Sequence, residues 1–235
     1  MVHNDQEEMM DRLRISWMTG LMIVFIVLTG LSCAHTNGDK QDRAIKPADH
    51  EKMLSEFQKG VEESKKYVVA KVNGVDITMN DLIGKMNQIA PKYIARGHER
   101  TPEIDQMVKQ EALDIIIFRE LAVQEAVRQG MKVTPAQVDE TLQKIKANMG
   151  SEDQFNKFLD MTGETEESLR KGIERNQLFN MIVAEEIYHK ANAGDASEVE
   201  QRRLEWEAEL KKEAKIEIML EDVEKKLKED AKKKN

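Results

Sequence analysis

The chain of 235 residues carries 36 Lys and Arg against 44 Asp and Glu, a formal net charge of -8, and 40% of it is hydrophobic. That is long enough to bury a core in one large domain or two small ones, and the acidic balance argues against nucleic acid as a partner, since phosphate contacts need a basic face. The sole cysteine, Cys33, excludes an internal disulfide, and the five histidines lack ligand spacing, so neither a metal nor a cofactor is expected.

Residues 1–33 read as an export signal: Arg12 and Arg14 precede an apolar run over 17–31, with the small residues Gly30 and Ser32 before Cys33. The acidic Asp5, Glu7, Glu8 and Asp11 are unusual in such a leader and leave Met9 or Met10 as alternative starts. The run is short for a bilayer span of about 20 residues, which favours cleavage over a permanent anchor. Leu28-Thr29-Gly30-Leu31-Ser32-Cys33 resembles a bacterial lipobox, with Gly30 where Leu is usual, so Cys33 is the expected lipidation site. Ordinary cleavage and an uncleaved signal anchor are the alternatives, and all three put the body outside the cytoplasm. Residues 34–50 are polar, hold Gly38 and Pro47, and read as a flexible tether of about 20 to 25 Å mean reach.

Residues 51–66, with Met53, Leu54, Phe57 and Val61 on one stripe, predict an amphipathic helix. The next stretch, YVVAKVNGVDITMND, predicts a β-hairpin over 68–77. Asn73-Gly74 supplies the two positive φ angles of a type I′ turn, and the two-residue register sets Val72 opposite Val75, Ala70 opposite Ile77 and Lys71 opposite Asp76. Thr78 and Asp81 form a capping-box signal for a helix carrying Leu82, Ile83, Met86 and Ile89 and expected to end before Pro91. His98 comes next, in a polar loop, and reads as a surface residue. Thr101-Pro102-Glu103 opens the longest helix, which runs to Gln129 with Gly130 as its left-handed terminator and is apolar on more than one side. It is expected to be the central pillar.

Thr134, Ser151 and Thr165 each open a further helix, the last running to about 191 with Leu169, Ile173, Phe179, Ile182, Val183 and Ile187 inward. After a break at 193–196, a capping box at Ser197 and Glu200 starts a helix with Leu204, Trp206 and Leu210. The period then switches to 2 over 215–220, so Ile216, Ile218 and Leu220 should line one face of a third strand for the opening hairpin, which is marginal alone. Residues 221–235 read as a charged helical tail. The fold class is therefore mostly α, an irregular multi-helix array over 51–220 with a small antiparallel sheet.

The ordered landmarks VNGVDIT, EALDIIIFRELAVQEAVRQGMKVTPAQVDETL and FNKFLDMTGETEESLRKGIERNQLFNMIV resemble the N-terminal chaperone domain of the SurA/PrsA/PpiD group, over about 68–187. Trp206, Leu210, Ala214, Ile216 and Ile218 are similar to that family's closing helix and strand. The resemblance implies a trigger-factor-like chaperone frame and an extracytoplasmic folding factor. In the family a parvulin domain is usually inserted after the helix that here ends near 191; only a short linker stands there, and beyond residue 164 the glycines are Gly172 and Gly194 alone. No prolyl-isomerase activity is expected.

The resulting expectation is a membrane-tethered, ATP-independent holdase whose partners are unfolded exported polypeptides, with the membrane engaged through the lipid or signal anchor. Flexible methionines suit a surface that repacks around different clients, which points to Met86, Met107, Met149, Met161 and Met181; core filling is the alternative for each. A structural or adaptor lipoprotein with one dedicated partner is the second reading. An enzyme is the third, without a Ser/His/Asp set, a glycine-rich phosphate loop or a metal cluster to support it. The sequence leaves a homodimer open.

Overall fold

The computed structural model describes residues 47–233, with side chains over 55–230. The export signal, Cys33 and the tether as far as residue 46 lie outside the described residues. The last four tether residues are helical: helix α1 spans Pro47–Ser64, with proline at its first position where a missing N–H costs nothing.

Strands β1 (Val68–Val72) and β2 (Val75–Thr78) pair in the register that the turn dictates, and Asn73 (φ 50°) and Gly74 (φ 87°) supply its left-handed pair. Lys71 and Asp76 form the expected cross-strand ion pair. One detail departs from simple alternation. Val68 pairs with Thr78 and Ala70 with Ile77, so Val69 is an extra residue, a β-bulge. The bulge explains why Val69 and Ala70, neighbours that should face opposite ways, are both fully buried.

The Thr78 capping box opens helix α2, Met79–Ala95. It does not stop at Pro91 but carries the proline inside its last turns. Pro91 is exposed there, so its ring meets solvent rather than the core, and the helix continues for one more turn. Helix α3, Pro102–Arg128, ends in a Schellman motif: the Met131 N–H reaches Ala126 O at 2.9 Å and the Gly130 N–H reaches Val127 O at 3.0 Å, with Gly130 left-handed. Helices α4 (Pro135–Met149), α5 (Glu152–Thr162) and α6 (Glu166–Val183) come next, opened by Thr134, Ser151 and Thr165. Instead of continuing as a regular helix to 191, the chain widens into a π-helical turn, Ala184–Tyr188, closed by His189 N–H to Ala184 O at 2.9 Å. Helix α7, Ala196–Glu213, is capped by Asp195 rather than by the box expected at Ser197; its carboxylate accepts from the Ser197 and Glu198 N–H groups.

Strand β3 (Ile216–Ile218) docks antiparallel on β1, pairing Val72 with Ile216 and Ala70 with Ile218, in sheet order β2-β1-β3. The third strand is therefore where the unpaired hairpin required it. It is shorter than 215–220, because Leu220, buried, already begins helix α8 (Leu220–Lys233), whose first turn carries Glu221 and Asp222 at the favourable end of its dipole. Ile218, expected inward, is 58% exposed.

Two cores share α3. On the sheet side Val108, Ala112, Leu113, Ile117 and Leu121 pack with β1, Leu82, Ile89 and Leu220. On the other side Phe118, Ala122, Val123 and Ala126 pack with Leu178, Ile182, Ile187 and Trp206, and Leu210 touches both clusters. Leu178 is a core residue that the sequence stripe omits. The predicted pillar is thus the element on which both halves rest.

Candidate functional site

Most helix faces pack inward, so the informative residues are the large apolar side chains left outside. Among the described residues these include Phe57 on α1, Ile83 and Ile94 on α2, Met107 and Val127 on α3, Met181 on α6 and Leu204 on α7. The five methionines singled out from sequence fall into different environments. Met107 is 53% exposed and Met181 39%. Met86 is half-buried against the sheet-side core, and Met161 is half-buried on α5. Met149, the last residue of α4, is buried at 6% exposure and fills the core.

Sequence reasoning misses Phe57 as a surface residue because its stripe reads as an inward face. The structure gives the reason: α1 is held by polar tethers, Gln58 Nε2 donating to Asp160 O and Lys65 Nζ to Gly163 O, each at 2.8 Å. These bind one side of α1 to the end of α5 and leave Phe57, at 55% exposure, facing out. Ile83, one of the apolar residues that mark the helix in the sequence, is 42% exposed, whereas Leu82 beside it is buried in the sheet-side core. Residue type at helical spacing could nominate both, but not which face would find a neighbour.

A concavity of about 230 Å³ lies between α4 and α6, with Val133, Pro135 and Val138 on one wall and Glu167, Arg170, Lys171 and Glu174 on the other. That is below the roughly 300–1,000 Å³ of ordinary ligand pockets and has room for one or two side chains. His98 is exposed and tilts against the Tyr93 ring, at 5.7 Å between centroids, as a surface residue. Among the described residues no three His, Cys, Asp or Glu side chains gather as a metal site, and no helix is long and apolar enough to cross a membrane.

The polar groups that are drawn inside serve as struts. Glu120, buried on α3, takes an ion pair from Arg175 on α6 and a hydrogen bond from Gln124, which also donates to Val72 O at the hairpin end. Glu186, buried in the π-helical turn, opposes its own desolvation with hydrogen bonds from Lys190 and Gln129 and the charges of Lys190 and Arg202, which hold its carboxyl below the ordinary range. The extra backbone residue of the π turn is what sets Glu186 between α3 and α7. Beside these struts, Lys85 on α2 and Arg119 on α3 are partly buried with neutral hydrogen-bond partners, Gln88 and Asn176. Burial first, then the charges of Arg119 and Lys92, lowers the Lys85 ammonium to about 8.

A hairpin clasped by the closing strand, a helical array on one pillar, and apolar side chains exposed on several of its helices define a helical frame with apolar outer surfaces. A sequence profile of the SurA-like N-terminal domain family matches residues 8–183, and the chain belongs to that family. It is also similar to Chaperone SurA of Hahella chejuensis (strain KCTC 2396), with 28% identity over 116 residues, which are 49% of this chain and 26% of that protein. The match thus spans about a quarter of the relative's length.

Proposed function

We propose that this protein is an ATP-independent extracytoplasmic chaperone that holds unfolded exported polypeptides, tethered to the membrane through Cys33 or an uncleaved signal and without prolyl-isomerase activity. The observation that carries the reading is the placement of large apolar side chains, Phe57, Ile94, Met107 and Met181 among them, on the outer faces of a frame whose interior is already filled. Family membership and the relative named a chaperone support it. Each exposed side chain offers about 1 to 2 kcal/mol on partial burial, so binding sums many small contacts and stays reversible. The net charge of -8 keeps a loaded complex soluble. In this reading residues 1–33 are the export signal, 34–46 the tether, and the body begins with α1.

The test is aggregation of an outer-membrane-type client and of an unrelated unfolded protein, each with and without the chain from Ala34 onward. Suppression of both is expected. Replacing Phe57, Met107 and Met181 together by Ser should weaken suppression while leaving the circular dichroism spectrum intact. Unchanged suppression would remove this surface from the proposal. Failure against both clients would favour an adaptor with one dedicated partner.

A further inference from the structure

A strand at the end of a sheet carries a row of main-chain donors and acceptors that no neighbouring strand takes up. In the order β2-β1-β3, strand β3 is such an end. Its bonds to β1 include Asn73 N–H to Lys215 O and Met219 N–H to Val69 O, each at 2.8 Å, with Lys71 opposite Glu217 midway between them. The alternation of an antiparallel ladder therefore points the N–H and C=O of Ile216 and Ile218 away from β1, along the outer edge. Lys215, Glu217 and Ile218 are exposed there, Ile218 although Ala70 across from it is fully buried. Proteins blunt open edges with proline, bulges or unmatched charge. Strand β3 has no proline, and Lys215 and Glu217 pair with each other at 2.7 Å, so the edge carries no net charge to repel a second strand.

The order of charges decides what fits this edge. Across the sheet one row reads Asp76, Lys71, Glu217, alternating in sign, so the next strand should place a cation there. Along the chain the charges change sign about Ile216: Lys211 and Lys215 precede it by the same spacings at which Glu221 and Glu217 follow it. We propose that β3 pairs antiparallel with β3 of a second copy of this chain, with the two-fold axis at Ile216. In this register Ile216 meets its own counterpart through the outward N–H and C=O groups. Lys215 faces Glu217 of the second copy and Glu217 faces its Lys215, so the row continues with alternating sign. On the opposite face the uncovered Ile218 meets Ala214 of the second copy, a small residue packed, like Ile216, against the sheet-side core. The basic last turn of α7, Lys211 and Lys212, and the acidic first turn of the second copy's α8, Glu221 and Asp222, come to the same end of the paired strands. An axis at Glu217 would keep the hydrogen bonds but set Glu217 directly against itself, which is destabilising. An axis at Ile218 would run the strands into Leu220, where α8 begins. Pairing at Ile216 turns a three-stranded sheet, near the lower limit of independent stability, into a continuous one of twice that width. The contact is small, in the class of transient interfaces, so the two copies exchange freely.

Sedimentation equilibrium of the chain from Ala34 onward, over micromolar to millimolar concentrations, should show a reversible monomer–dimer equilibrium. Over the same range the Ile216 and Ile218 amides should gain about tenfold in hydrogen-exchange protection, while Met219, already bonded to Val69 O, should not change. Ile218→Pro removes an outward N–H and no bond to β1, so it should leave a monomer in which Met219 stays protected. Lys215→Glu and Glu217→Lys should each be monomeric alone, because each sets like charges opposite one another across the axis. An equimolar mixture of the two should form a heterodimer, since every such pair is then of opposite sign. If Glu217→Lys, which also faces Lys71, does not fold, Ile218→Pro and Lys215→Glu decide the matter, as neither removes a hydrogen bond to β1. A monomer at every concentration, with Ile216 and Ile218 unprotected, overturns the proposal. A dimer that survives Ile218→Pro and Lys215→Glu overturns it too, because its contact lies elsewhere. Protection of Ile216 and Ile218 that appears in a monomer only when an unfolded client is added overturns the second copy as occupant and gives the edge to an extended client strand.

Discussion

Asn73 is the residue at which turn geometry and long-range closure meet, and its replacement separates the two. Its φ of 50° lies in the left-handed region, which costs an ordinary L-residue about 1 kcal/mol. Its side chain also donates to Gln124 Oε1 on α3 and accepts from the Lys215 N–H ahead of β3, each at 2.8 Å. These bonds are solvent-exposed, so each contributes about 0.5 kcal/mol, at the low end of net hydrogen-bond values. Asn73→Gly, which keeps the turn and loses both bonds, should therefore cost about 1 kcal/mol, and Asn73→Ala about 2 kcal/mol. Urea unfolding gives the totals. Amide exchange locates them: the Met219 N–H, bonded to Val69 O at 2.8 Å, reports whether the closing strand is seated. Its exchange should quicken about 5- to 30-fold in Asn73→Ala, more than amides of α4 or α5. An alanine variant as stable as the glycine variant would refute the backbone argument. Unchanged protection at Met219 would refute the claim that the turn holds β3.

Three further outcomes rest on single residues. Trp206, buried edge-on against Phe118 at 5.5 Å, should cost about 3 to 5 kcal/mol when replaced by Ala, read as a lowered urea midpoint with lost near-ultraviolet dichroism. Lys85, whose ammonium is lowered from 10.5 to about 8 in the folded chain, makes the unfolded state bind more protons between those values, so stability should rise with pH across that window. At about 1.4 kcal/mol per unit, discounted for the side chain's partial exposure, the rise is ~1 to 2 kcal/mol, and Lys85→Met should abolish it while gaining stability at pH 7. Pro91, exposed inside α2, should stabilise the protein by about 1 to 2 kcal/mol when replaced by Ala, since the gain of a helical N–H outweighs the freedom returned to the unfolded chain.

The features legible in the sequence are those whose causes are local. Asn73-Gly74 fixes its own turn and with it the hairpin register, and Thr78, Thr101, Thr134, Ser151 and Thr165 each cap the helix that begins after them. The third strand is legible because an unpaired hairpin needs one and only the stretch after Ala214 alternates. The features that escape depend on neighbours distant in sequence. The bulge at Val69 answers to the sheet-side core, which takes in both Val69 and Ala70, and the π turn to the seat of Glu186 between Gln129 and Arg202. Whether Phe57, Ile83 and Ile218 are covered depends on how far the adjoining elements reach, which no stripe encodes.

The segment matched by the family profile ends at residue 183, yet α7, β3 and α8 beyond it belong to the same two cores. Trp206 fills the cluster that Phe118 and Ala122 begin, Leu220 closes the sheet-side cluster, and β3 occupies an edge of β1 that would otherwise be open. Removing residues beyond 195 exposes the beds of both side chains. At about 1.5 to 3 kcal/mol for each buried side chain, that loss is ~3 to 6 kcal/mol before the ladder bonds of β3 are counted, a large part of the roughly 5 to 15 kcal/mol that keeps a domain folded. The shortened chain 46–195 should therefore lack a cooperative urea transition, although every helix from α2 to α6 and the hairpin remain in its sequence. A cooperative transition at the midpoint of chain 46–235 would show that the closing helix and strand are an addition to a self-sufficient frame. Loss of cooperativity would mean that β1 waits, with one edge unpaired, for the last part of the chain to be made.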